Sequence, residues 1–121
     1  MDPSFKLIVD GSEIAEGVLR RAVAPAAVWE LERIRRVSGN ALIREDSVGI
    51  VTRLKVGAAK SRLKFKAGEV AINPADGSLW VFLSDAESRM PLVPLGSVLQ
   101  GLEGLRSIRR GARLELMVRT G

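Results

Sequence analysis

Short apolar runs of period two, separated by turn-forming residues, recur from one end of this chain to the other, and only one long window reads as a helix. A chain so patterned buries its apolar faces by pairing strands, so the fold is expected to be mainly β. Residues 5–9 (Phe-Lys-Leu-Ile-Val) lead into Asp10-Gly11, a two-residue hairpin signal because both turn positions take positive φ. The return strand covers 13–19, where Ile14 and Val18 supply apolar contacts. Further on, 41–44 and 48–56 are β-rich, with Glu45-Asp46-Ser47 as a polar break between them. Arg62, Lys64 and Lys66 alternate with Leu63, Phe65 and Ala67, which puts three cations on one face and three apolar groups on the other. Strands at 69–73 and 79–83 flank a Pro74-Ala75-Asp76-Gly77 turn. A polar, mobile loop is expected at 84–91 and a strand at 92–100. Leu102, Leu105 and Ile108 then mark a short helix with Gly111 at its C-terminal cap, and 113–119 alternates as a closing strand.

The long helical window is 25–36. Pro25 suits its first turn, where a missing N–H costs nothing. Ala27, Val28, Leu31 and Ile34 form its buried stripe. Trp29 is expected to pack as well. Glu32 precedes Arg36 by four residues, the favourable order for an exposed ion pair, and Gly39 is placed to end the helix. On this reading the cluster Arg33 to Arg36 is a helix end and not a phosphate site. Some eight strands and two short helices in one domain, 1–121, fit a closed antiparallel β-barrel, an architecture that leaves no exposed edge.

Composition narrows the chemistry. Cysteine, histidine and tyrosine are all absent from the 121 residues. That removes thiolate nucleophiles, disulfides, the usual Ser-His partnership and the commonest zinc ligands together. Proton transfer would fall to Asp, Glu or Lys. No catalytic residue, metal site or cofactor is implied. Glu45 and Asp46 are adjacent carboxylates, but neighbours on a strand point to opposite faces and make a poor metal pair. The net charge of +5 favours anionic partners by long-range attraction. With no apolar run of about 20 residues and no secretory leader pattern, the chain reads as cytoplasmic, without a membrane partner, and as a monomer or dimer.

Two segments resemble the cyclophilin superfamily. One is Gly68-Glu69-Val70-Ala71-Ile72-Asn73-Pro74-Ala75-Asp76-Gly77-Ser78-Leu79-Trp80-Val81-Phe82; the other is Leu95-Gly96-Ser97-Val98-Leu99-Gln100-Gly101-Leu102-Glu103. With Leu105, Ile108 and Gly111, they are most similar to the short prokaryotic cyclophilin-like proteins of unknown function (the DUF369 type). The resemblance implies a cyclophilin-like barrel and a groove, with glycines such as Gly96 where another backbone approaches closely. It also implies that a prolyl isomerase of this fold would use an arginine, a glutamine and a floor of aromatic residues and histidine. The arginine weakens amide resonance at a rotation barrier of about 20 kcal/mol. Val51-Thr52-Arg53-Leu54 keeps only the arginine, and Gly77-Ser78-Leu79 stands where Gly-Ser-Gln is expected. Isomerase activity is therefore an alternative and not the main reading.

The main expectation is a binding module for an unidentified small anionic ligand or peptide, using the groove face. Arg53 would hold an anionic or carbonyl group, Trp80 and Phe82 an apolar wall, and Arg89 with 84–91 a rim; Asn73 is a weaker candidate whose simpler role is turn formation. Trp80 and Phe82 share a strand face and also fit a core role, and Arg53 also fits a solvated one. A third reading is weak nucleic-acid binding by Arg53, Lys55, Arg62, Lys64 and Lys66. Only 4% of the chain is aromatic, and Phe65 alternates away from the cations, which argues against base stacking.

Overall fold

The computed structural model describes residues 2–56 and 59–119. The elements run β1 (Ser4–Val9), β2 (Ser12–Leu19), α1 (Pro25–Ile34), β3 (Arg36–Asn40), β4 (Leu42–Ile43), β5 (Ser47–Val51), β6 (Arg62–Phe65), β7 (Glu69–Ile72), β8 (Ser78–Phe82), β9 (Ala86–Gln100), α2 (Leu102–Leu105) and β10 (Arg113–Arg119). The fold is mainly β, as the sequence implies. Strands neighbour one another in the order β3-β10-β1-β2-β9-β7-β8-β5-β4, and β6 attaches to the outer half of β9. Every ladder is antiparallel. The hydrogen-bonded path has two ends, β3 and β4, so among the described residues no ladder closes the sheet. These two strands adjoin in sequence across Ala41. A Cβ on Gly39 of β3 would lie 3.9 Å from the Val51 carbonyl oxygen, so β3 passes β5 at contact distance without pairing.

Local signals explain most elements. Asp10 and Gly11 take φ of +48° and +86°, the left-handed pair that a tight hairpin needs, and β1 and β2 pair on either side. Gly96 is the close approach that its position suggests: an added Cβ would collide with the Val18 carbonyl of β2. β10 pairs with β1 along all of β1, so the chain's two outermost strands are neighbours.

Several expectations need correction. The helix stops at Ile34 because Arg35 turns left-handed (φ +68°), and Gly39, placed at the helix end by sequence, lies inside β3. The free edge of β10 takes residues 36–40 into a ladder, with Val37 opposite Leu116, and this outweighs another helical turn. Arg33 to Arg36 therefore divide their roles. Arg33 pairs with Glu30, and Arg36 pairs with Glu115 across the β3–β10 ladder. Glu32 takes a bidentate bond from Arg21 and not from Arg36. Trp29 is 59% exposed, because Ala27, Val28 and Leu31 fill the buried face without it. The strand expected over 48–56 ends at Val51. The loop expected over 84–91 belongs largely to β9, whose polar residues pair with β6 at the surface. Gly111 has positive φ in the turn before β10, well beyond the single turn of α2.

The apolar residues divide into two clusters. The larger one joins Phe5, Leu7, Leu19, Leu31, Leu114 and Leu116 with Leu79 and Val81 of β8. The smaller one consists of Phe65, Ala71, Trp80, Phe82 and Leu92. Because side chains alternate along a strand, β8 sends Leu79 and Val81 to the first cluster and Trp80 and Phe82 to the second, and all five of its residues are buried. No helix among the described residues is long and apolar enough to cross a membrane.

Candidate functional site

The smaller cluster floors a groove of about 510 Å³ on the outer side of β8. Trp80, Phe82 and Leu92 form the floor. The turn between β4 and β5 supplies Arg44, Glu45, Asp46 and Ser47, and the outer half of β9 supplies Glu87, Ser88, Arg89 and Met90. Asn73, at the end of β7, closes one side. Four of the five residues singled out from the sequence thus meet at one place: Asn73, Trp80, Phe82 and Arg89. Arg53 does not line this groove. It follows the end of β5, with φ +60°, beside Gly77 in the turn that joins β7 to β8.

The floor is held rigidly. The Trp80 indole lies against Gly49, its cross-strand partner in β5, where an added Cβ would come within 2.6 Å of a ring carbon. Any side chain here would collide with the Leu79 carbonyl and with the ring, so one of them would have to shift. Trp80 Nε1–H donates to Ser78 Oγ at 2.8 Å, and the Ser78 hydroxyl donates to Asp76 Oδ1 at 2.6 Å. This chain fixes the ring's orientation and satisfies its one polar atom. Phe82 is stacked on Phe65 with centroids 4.7 Å apart and planes 4° from parallel. Trp80 and Phe82 are 4% and 3% exposed, which is the core role weighed for them, and both also line the groove.

The rim carries mixed charge. Arg44 and Arg89 oppose Glu45, Asp46 and Glu87. Arg44 lays its guanidinium 4.2 Å over the centre of the Trp80 ring, a cation–π contact. The hydroxyl of Ser78 holds the Asp76 carboxyl below its ordinary value of 3.8, against some burial and with help from the Ser78 amide and the charge of Arg44. Asn73 Oδ1 accepts from the Ala75 amide at 2.9 Å, the turn-forming role expected of it. Sequence alone missed Arg44 and Met90. Arg44 stood next to the polar break 45–47, and nothing in a single sequence ties that turn to β8.

Outside the groove, the basic strand face is less regular than its sequence pattern. A shift of register between Arg62 and Lys64 brings Arg62 over the Phe65 ring, at 4.5 Å, and into a bidentate bond with Glu69. One of the three expected cations is thereby neutralised. Among the described residues, no group of three or more carboxylates is arranged to hold a metal ion.

No protein-family model matches the sequence, and no curated protein matches it. Among solved structures, the solution structure of a hypothetical protein from Archaeoglobus fulgidus is similar over 99% of this chain and 95% of its own, with a TM-score of 0.78 at 16% sequence identity. At that identity the likeness concerns the fold alone.

Proposed function

We propose that this chain is a cyclophilin-like, non-catalytic binding module whose groove takes a short peptide or a peptide-like small molecule with a free carboxylate. The observation that carries the reading is the convergence of Asn73, Trp80, Phe82 and Arg89 on one groove with an apolar floor. Arg89 offers a planar pair of donors suited to a carboxylate. Phe82, Leu92 and Met90, the last 50% exposed, offer apolar surface to a side chain. In favour of the barrel closure expected from the sequence, β3 passes β5 at contact distance, although no ladder joins them among the described residues.

A binding role is favoured over prolyl isomerisation. The chain has no histidine, and Arg53, which the isomerase resemblance would employ, stands outside the groove. Nucleic acid is disfavoured by the three rim carboxylates, which repel phosphates, and by the pairing of Arg62 with Glu69.

Exchange NMR on a short X-Pro peptide with a free C-terminus, mixed with amide-labelled protein, tests the reading. Shifts should concentrate at 87–92 and at the Trp80 indole N–H, while cis/trans exchange of the peptide stays at its uncatalysed rate. Faster exchange would restore the isomerase reading. Shifts confined to residues outside the groove, or none, would overturn the assignment.

A further inference from the structure

The Trp80 face of the groove is already occupied by a cation from the protein itself. Arg44 Cζ lies 4.2 Å above the Trp80 ring, yet its guanidinium makes no ion pair or hydrogen bond among the described residues. Its side chain is exposed, and what holds it there is the ring's face together with the nearby charge of Asp76. The groove that Trp80 floors is also lined by Glu45, Asp46 and Glu87, with Arg89 among them, and Asp76 lies near enough for the charge of Arg44 to act on its carboxyl. Trp80 and Arg44 also line a second cavity of about 280 Å³, bounded by Ala41, Leu42, Ile43 and Arg110. The two cavities thus share one wall, and that wall is made by Arg44 lying on Trp80.

We infer that the Trp80 face is a subsite for a cationic side chain, and that Arg44 fills it in the free protein as a displaceable occupant. The inference rests on the groove being the binding site and adds what the ligand carries: a guanidinium or ammonium beside its carboxylate. The aromatic face attracts cations through the ring quadrupole, and once Arg44 has left it the carboxylates of Glu45, Asp46 and Glu87 outnumber Arg89 and Arg110 in the two cavities. When a ligand's cation takes the ring, Arg44 swings into solvent and the two cavities join. A peptide with a basic side chain then lies with that side chain at the junction and its carboxylate toward Arg89.

The test uses a Trp29→Phe background, in which Trp80 is the sole indole. Acetyl-Arg-Leu and its citrulline counterpart, which is neutral and of the same shape, are titrated against Trp80 fluorescence and its indole N–H resonance. Arg44→Ala and Arg44→Gln should each bind the arginine peptide about two- to five-fold more tightly than the background protein, the gain expected when one exposed cation–π competitor is removed. The citrulline peptide should gain nothing. An equal gain for both peptides would make Arg44 a steric cover only and overturn the inference. No gain, a loss, or no response of Trp80 to either peptide would overturn it too. The groove reading is tested apart from this: shifts at 87–92 with an unmoved Trp80 would preserve the groove and remove the cation subsite.

Discussion

Phe65→Ala should detach β6 without unfolding the protein. β6 has four residues, and Phe65 is the only buried one. It hangs on β9 through three register pairs, outside the main path of the sheet. Ordering four residues costs about 4–8 kcal/mol at roughly 1–2 kcal/mol each. Three ladder contacts return about 3 kcal/mol at roughly 1 kcal/mol each. Burying Phe65, stacked on Phe82, supplies about 3–5 kcal/mol more, which brings the strand to near balance or slightly above it. With alanine the balance turns against order by several kcal/mol, and β6 opens. The larger cluster contains no β6 residue, so global stability should fall by much less than the local loss. Native-state hydrogen exchange by NMR reads the two separately. Amides of β6 should lose the roughly tenfold protection that a strand slightly above balance holds, at about 1.4 kcal/mol per tenfold, and exchange as open chain, while those of β1, β2 and β10 keep theirs. If β6 amides stay protected while the urea midpoint falls by the full amount, the two clusters act as one core and the reasoning fails.

Further outcomes follow from the same geometry. Gly49→Ala should cost about 1–3 kcal/mol, at the upper end because the new Cβ would meet the Leu79 carbonyl as well as the indole; an unchanged urea midpoint would contradict the packing described for Trp80. Arg89→Ala, at an exposed position, should leave the melting temperature unchanged and weaken a carboxylate-bearing peptide by roughly tenfold or more, the loss of a charge-assisted hydrogen bond; calorimetry showing equal affinity would remove Arg89 from the site. Asp76 should titrate below 3.8 in carbon-detected NMR. Its folded value is depressed, so its contribution is present above the ordinary value of 3.8 and is lost as pH falls through the lower folded one. Asp76→Asn should therefore flatten the acid limb of a stability profile, and a profile as steep as the parent's would refute that assignment.

How far the sequence could be read varied with the range of the forces involved. The 10–11 hairpin, the 73–77 turn and the strands around them were legible, because backbone sterics and alternation act over a few residues. The helix start at Pro25 was legible for the same reason, while its end was not. Residues 36–40 leave the helix to pair with β10, which lies more than seventy positions away in sequence. The polar segment 84–91 read as a loop because its burial is one-sided and shallow, yet pairing with β6 makes it a strand. Trp80, Phe82, Asn73 and Arg89 were recoverable from a face pattern and a resemblance. Arg44 was not, because its role comes from lying across Trp80, a contact between a turn and a strand far along the chain.

The most direct measurement of the groove assignment is a set of intermolecular NOEs between an unlabelled acetyl-Arg-Leu peptide and the labelled protein. Contacts are expected from the leucine methyls to Met90 and Leu92 and from the arginine side chain to the Trp80 indole. Contacts that fall instead on the exposed face of α1 at Trp29, or along Lys64 and Lys66 of the basic segment, would place binding elsewhere and contradict it.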